Sequence, residues 1–482
     1  MNTVITTSSS VARVVRRACC LGSFAVVVLL GLLRVSAEAK VLYVDGVLPA
    51  DCTSGNYSVA VRACGGSDGN AYRTFAPAIS AMQAGDVLTV RGGTYKDPLN
   101  INKSGTSNAH LRIVAYAGES PIIDLSALAK GTGTNGINAS SQSYIDIDGI
   151  GVRNSPYYGI KGSSGHYITF TNGEVGYSYH GGVIFENASN IVVSGCNVHH
   201  SNNGGTAMEA MSFQTVNQFQ ITDCDVHDNG KEGIDAKYGS TNGVISGNRS
   251  YANNGPNIYL DAVNFIQVSR NICHGTASTK ACIGLSIEST YNTGGYSTHD
   301  ILIDNNVVYG SGAGVWFWVE STSASFSVFS NIRIEYNTIA DNTLNSWGGI
   351  YFLNGGSANF GGGNVIRDNV FWANSGRAIG DSGGAIQTFT IDHNLFRSGD
   401  ATATTGSSAM VTSSNPFVNE GAHDYHLSSN SPAQNIGQSV SDITTDIVGT
   451  PRPSGSTDVG AYEYVTTSTV SVPPPGNLHI VP

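Results

Sequence analysis

The stretches ISGNRS (245–250), VSRNIC (268–273), IDNNVV (303–308), IEYNTI (334–339), IRDNVF (366–371) and IDHNLF (391–396) repeat one motif. Each pairs apolar strand residues with an amide and then a Val, Ile or another small or apolar residue. Looser copies precede them: IDGIGV (147–152), FTNGEV (170–175), VSGCNV (193–198) and ITDCDV (221–226). The equivalent positions are Ile150, Gly173, Cys196, Cys224, Asn248, Asn271, Asn306, Asn337, Asn369 and Asn394, which recur every 23 to 35 residues. That period, carried by β-branched residues without a helical pattern, marks an all-β solenoid in which each rung is one turn. Asn at a fixed place in successive rungs predicts side chains hydrogen-bonded to one another up the stack.

The ends read differently. Arg13, Arg16 and Arg17 precede an apolar run, Phe24–Leu33, and Ala37-Glu38-Ala39 offers a small-residue cleavage site. This is the pattern of a signal peptide over residues 1–39, so the expected protein is secreted. Cys19 and Cys20 lie ahead of the apolar run, on the wrong side for a lipid-anchored cysteine. No membrane anchor is expected in the mature chain. Loss of four Arg and one Glu with the leader moves the formal charge from −11 to −14, a balance that argues against nucleic acid as a partner. Residues 40–124 form a cap, with Phe75, Ala78, Ile79 and Met82 at helical spacing. Residues 396–464 form a closing segment, and 465–482, with Pro473-Pro474-Pro475, read as a disordered tail. Six cysteines remain after cleavage. Cys52–Cys64 and Cys273–Cys282 would each close a short loop and are the expected bridges, while Cys196 and Cys224 fit either a bridge or stacked thiols.

Within rungs the alternation is that of strands. Ile234 and Ala236 point inward, and so do Ile258 with Leu260, Leu285 with Ile287, Val315 with Phe317, and Ile350 with Phe352. Their outward neighbours align into two columns. One reads Glu186, Lys237, Asp261, Glu288, Trp318 and Leu353; the other Ile184, Asp235, Tyr259, Ser286, Trp316 and Tyr351. The rung GGTAMEAMSFQ (204–214) leaves the register of Glu209 open. Neighbouring rungs lie roughly 4.8 Å apart, so Lys237, Asp261 and Glu288 are expected as one exposed stack beside Asp235. Closely set charges suit acid–base work, and the aromatic Tyr259, Trp316, Trp318 and Tyr351 suit stacking on sugar rings. The plainer reading is a solvated face on which Lys237 neutralises Asp261. A second group, His199, His227, Tyr251 and Tyr309, follows the motif at similar offsets, with His227 as a candidate substrate contact. Zinc-type spacing, a G-x-S-x-G elbow and a phosphate loop are all missing from the sequence.

The segments YVDG (43–46), TFAPAISAMQAGDVLTVRGGTY (74–95), DYHLSSNSPAQNIG (424–437), TDIVGTPRP (445–453) and DVGAYEY (458–464) resemble the two ends of bacterial secreted right-handed parallel β-helix proteins, the pectate-lyase-like family. HDNGKEGIDAKYGSTNGVISGN (227–248) is similar to a stretch of family nine polysaccharide lyases, in which Asp-Gly-Phe-x-x-Lys lies on a calcium-binding rung. Glu232, Gly233, Ile234 and Lys237 occupy those places. Where the family has an acidic cluster, this chain has Asn254, Asn257 and Asp261, and no counterpart of the family's later Gly-Phe-Lys strand is found. The resemblance implies a monomeric polysaccharide lyase. It would cleave an acidic, uronate-containing polysaccharide by β-elimination, with calcium held by Glu232, Asp235 and Asp261. Lys237 is the expected base, provided its pKa is lowered, and Asp235, Asp261 and Glu288 the expected carboxylate-side contacts. Two other classes fit the same residues. One is a glycoside hydrolase using Asp261/Glu288 or Asp235/Glu288; the other is a non-catalytic carbohydrate-binding or adhesive protein.

Overall fold

The computed structural model describes residues 39–465, except 203, 207, 354–358 and 382. The leader and nearly all of the tail expected from the sequence lie outside the described residues. Among those described, three long sheets of 14, 10 and 13 strands run side by side. Each rung gives one strand to each sheet in turn. Tyr158–Ser163 joins the 10-stranded sheet, His166–Thr171 the 14-stranded and Glu174–Gly176 the 13-stranded; Gly181–Glu186, Ser189–Ser194 and Asn197–His199 repeat the cycle one rung on. Pairing within these sheets is parallel, as in Val183↔Met211 and Ile234↔Ile258. The chain is a parallel β-helix whose interior is filled by the inward residues of all three sheets, Ile234, Ala236, Ile258, Leu260, Leu285, Val315 and Phe317 among them.

The amide ladder is present and buried. Asn248 Nδ2 donates to Asn271 Oδ1 at 3.0 Å, and the same bond runs from Asn271 to Asn306, Asn337, Asn369 and Asn394 at 2.9–3.0 Å. Each Oδ1 also accepts the backbone N–H of the preceding rung's Asn, as for Asn271 N to Asn306 Oδ1 at 2.9 Å. These bonds satisfy the polar groups of a tight bend that water cannot reach. A second ladder, not read from the sequence, occupies another bend: Asn229 Nδ2 donates to Asn253 Oδ1 at 2.8 Å and Asn342 Nδ2 to Asn374 Oδ1 at 2.9 Å. Removing Asn306 strands buried groups on both sides. Asn306→Ala should lower the unfolding free energy by roughly 2–4 kcal/mol, read from urea denaturation. An unchanged midpoint would mean that the ladder contributes nothing to stability.

The cap helix is Phe75–Ala81, with Phe75, Ala78 and Ile79 buried, and it packs against the first strands. Cys52 and Cys64 are bridged. The expected Cys273–Cys282 bridge is not: both are free thiols buried in the core. Cys273 lies within strand Ile272–His274 and Cys282 within strand Ala281–Ile287, and the two thiols meet in the core as a hydrogen-bonded pair without a bridge. Cys196 and Cys224 are stacked buried thiols that continue the column of ladder asparagines, and Cys224 N donates to Asn248 Oδ1 at 2.9 Å. The closing segment folds back along the outside of the last rungs. Phe417, Tyr425, Leu427, Ala433, Val459 and Tyr462 cover the outward Val307, Ala340, Val370 and Leu395.

Candidate functional site

The outer face of the 10-stranded sheet holds the charged residues, in a register that differs from the expected one. The first column is Glu186, Gln214, Lys237, Asp261, Ser286, Trp318 and Leu353; the second is Ile184, Ser212, Asp235, Tyr259, Gly284, Trp316 and Tyr351. Ser286, not Glu288, is the neighbour of Asp261. A strand repeats every two residues, so a slip of two leaves the inward pattern intact and escapes detection by alternation. Glu288 lies just past the strand end and returns to the site through the loop. Its N–H donates to Asp261 Oδ1 at 2.8 Å, and its carboxylate accepts from Tyr259 Oη at 3.2 Å and Tyr238 Oη at 3.4 Å.

The stack is also not exposed. Lys237, Asp235 and Asp261 are 6, 2 and 1 % exposed. Glu209, whose register the sequence left open, is the central anion: Oε2 lies 2.7 Å from Lys237 Nζ and Oε1 2.9 Å from Lys231 Nζ. Lys237 Nζ is also 3.1 Å from Asp235 Oδ2, and Lys231 Nζ 3.2 Å from Glu232 Oε2. Burial favours a neutral amine at Lys237, yet Asp235 and Glu209 together outweigh it and hold the group as ammonium, well above its ordinary pKa. Burial likewise opposes ionisation of Glu209, but Lys237 and Lys231 pull it down to about 2. The sequence-based assignment of Lys237 as base required a lowered pKa. The contacts with Glu209 and Asp235 do the opposite and raise it.

Burial, then the nearby Glu288 charge, pushes Asp261 up to about 7. Between about pH 4 and 7 the folded protein therefore keeps a proton that the unfolded chain has released. Stability from this group is present below the unfolded pKa and is lost as pH rises through the folded one. Asp261→Asn removes the effect, so its unfolding free energy should decline less steeply than wild type over pH 4–7, by up to about 1.4 kcal/mol per pH unit. Parallel pH profiles from denaturant titrations would contradict this.

Beside the ionic cluster opens a cleft of about 320 Å³ whose lining includes Glu232, Tyr259, Lys280, Glu288, Trp316, Trp318 and Trp347. Asp235 and Asp261 do not line it. Trp316 and Trp347 lie 5.8 Å apart, and Trp347 stacks on Tyr351 at 5.2 Å and 6°. Lys280 Nζ stands 5.7 Å from the Trp316 ring and makes no ion pair among the described residues. Glu232 is raised by burial against the opposing pull of Lys231. Lys280 and Trp347 went unread in the sequence because both come from loops flanking the strands, outside the alternating pattern.

Three expected contacts do not line the cleft: Tyr351 borders a neighbouring cavity with Trp347 and Arg377, and Glu186 and His227 lie farther away. Glu186 is taken up by Lys161 at 2.6 Å and Ser163 Oγ at 2.9 Å, with the Gln214 rung between it and Lys237. His227 is on the 13-stranded sheet, in a stack with His199 (5.4 Å) and Tyr251 (4.9 Å) that continues through His274, Tyr309 and His423. It belongs to a turn-side aromatic ladder and not to the cleft.

The expected calcium ligands do not form a ligand set. Glu232 and Asp235 face the ammonium groups of Lys231 and Lys237, and Asp261 Oδ1 is taken by the Glu288 N–H. No three His, Cys, Asp or Glu side chains among the described residues converge as a metal site.

Residues 60–254 match the family model described as "Pel9A-like, right handed beta helix region", and residues 206–329 match "Right handed beta helix region". Over residues 60–254 the chain is similar to the Pel9A-like region, and its fold is that of a right-handed β-helix. The Pel9A-like region includes Glu209, Lys231, Glu232 and Lys237, while Lys280 and Glu288 fall in the second match. A curated relative, pectate lyase PEL9 of Emericella nidulans, is 31% identical over 133 residues, 24% of this chain. The match spans about a third of that relative, 32% of its length. The crystal structure of pectate lyase Pel9A is similar in fold, with a TM-score of 0.54 at 16% identity, covering 88% of this chain and 97% of that one. A rhamnogalacturonan lyase structure has a TM-score of 0.50 at 13% identity, covering 79% and 91%.

Proposed function

We propose that the protein is a secreted polysaccharide lyase that cleaves a uronate-containing polysaccharide by β-elimination in the cleft beside the ionic cluster. One observation carries this reading: Lys280, a cation without a carboxylate partner among the described residues, stands over Trp316 in a cleft that also presents Glu232 and Glu288. A sugar ring stacked on the indole wall brings its carboxylate to Lys280, which favours the charge that builds up on that carboxylate as the adjacent C–H bond breaks. The Glu232 carboxylate accepts that proton. The electron pair forms the C4–C5 double bond, the C4–O bond breaks, and the leaving oxygen takes a proton from Tyr259 Oη. Burial keeps the Tyr259 phenol protonated, and its single O–H, donated to Glu288 in the free protein, turns to the leaving oxygen for the transfer. The Pel9A-like region and the lyase named among the relatives support the same reaction class.

The test is incubation with polygalacturonate and other uronate polymers while the absorbance of the unsaturated uronate product is followed. A rise is the expected result. New reducing ends without that absorbance would make the two cleft carboxylates a hydrolase pair. Binding with neither would leave a non-catalytic carbohydrate-binding protein.

A further inference from the structure

We propose that the outer face of the 14-stranded sheet is a second glycan-binding site, for an uncharged polysaccharide strand lying along the helix axis. A groove of about 470 Å³ crosses this face, and its lining includes His110, Tyr167, Asn190, Gln218, Gln220 and Asn242. It belongs to a different sheet from the charged cleft. Tyr144, Tyr167, Asn190, Gln218, Asn242 and Phe265 occupy one column, a rung apart, because the residues flanking them pair in register from Ser143↔His166 to Gly243↔Ile266.

Three features point to a sugar chain. Aromatic rings stand in solvent, Tyr167 at 44 % and Phe265 at 55 % exposure, and Tyr167 stacks on Tyr144 at 4.7 Å. Between them the side-chain amides of Gln218 and Gln220 are exposed and make no hydrogen bond among the described residues. Rings that cover a pyranose face, interleaved with amides that bond its hydroxyls, are the contacts such a ligand needs. The column repeats at roughly 4.8 Å per rung, close to the length of one pyranose unit. The backbone adds a further sign. Tyr167, Gln218 and Phe265 all hold left-handed conformations, with φ of 53–60°, which are costly for large side chains that stay exposed. The groove lining contains no Asp, Glu, Lys or Arg. Its one basic side chain, His110, already faces Asp146 at 3.2 Å, so a uronate polymer would find no unpaired cation in the lining and a neutral strand fits it better.

The test is native affinity electrophoresis of the full-length mature protein through gels containing soluble galactan, arabinan, xylan or glucomannan, with polygalacturonate in a parallel gel. Wild type should be retarded by at least one neutral glycan. Tyr167→Ala should weaken that retardation roughly tenfold in apparent Kd, and Tyr167→Ala/Gln218→Ala should abolish it. Both side chains are exposed, so thermal melts should match wild type. Lys280→Ala should keep the retardation, because the cleft is not involved. Retardation unchanged in the double variant, or absent in every neutral gel, would overturn the proposal. Since no turnover is measured, retardation without cleavage of any uronate polymer would sink the lyase reading and leave this one standing.

Discussion

Lys237→Met should cost the protein about 3–5 kcal/mol of folding stability, a larger loss than any other single change in the ionic cluster. The ammonium is buried between Glu209 and Asp235 at 2.7 and 3.1 Å. Without it, Asp235 loses its cation, and Glu209 keeps only Lys231 in a site closed to water. Removing one partner of a buried pair leaves a charge the interior cannot solvate, and that desolvation outweighs what the pair itself contributes. The measurement is urea denaturation at neutral pH, with Lys237→Met/Glu209→Gln beside it. The double variant removes the stranded charge and should recover part of the loss. A single variant as stable as wild type would show that water reaches the cluster, and would reopen Lys237 as a chemical group.

The largest kinetic effect is expected at Glu232. Glu232→Gln preserves shape and packing but cannot accept a proton, so kcat should fall by about 10²–10⁴ with KM little changed. Burial raises the Glu232 carboxyl, and the base must be ionised to act. The acid limb of the wild-type pH–rate profile should therefore lie above the ordinary Glu range near 4.3. Trp318→Ala should do the reverse, raising KM through about 1 kcal/mol of lost stacking while kcat stays close to wild type. A Glu232→Gln enzyme of ordinary kcat would move the proton acceptor to Glu288, the other carboxylate lining the cleft.

What the sequence determined by itself is periodic. The spaced asparagines, the inward Ile/Val/Leu pairs and the cap helix are each local patterns, and each appears in the structure as Asn248–Asn394, Ile234/Ala236 with their successors, and Phe75–Ala81. The columns holding Lys237, Asp261, Trp316 and Tyr351 were legible for the same reason: one turn per rung converts sequence period into spatial neighbourhood. What only the tertiary structure decided lies where that period is broken. The place of Glu209 depends on the inserted residues of its rung, and that of Glu288 on a two-residue slip that leaves side-chain alternation unchanged. Lys280 and Trp347 reach the cleft from loops, which carry no repeat. Protonation lay furthest from the sequence. A lysine beside carboxylates reads the same on paper whether solvated or enclosed, and only the enclosed contacts with Asp235 and Glu209 raise Lys237 against the pull of burial, because the strength of a charge pair is set by the medium around it.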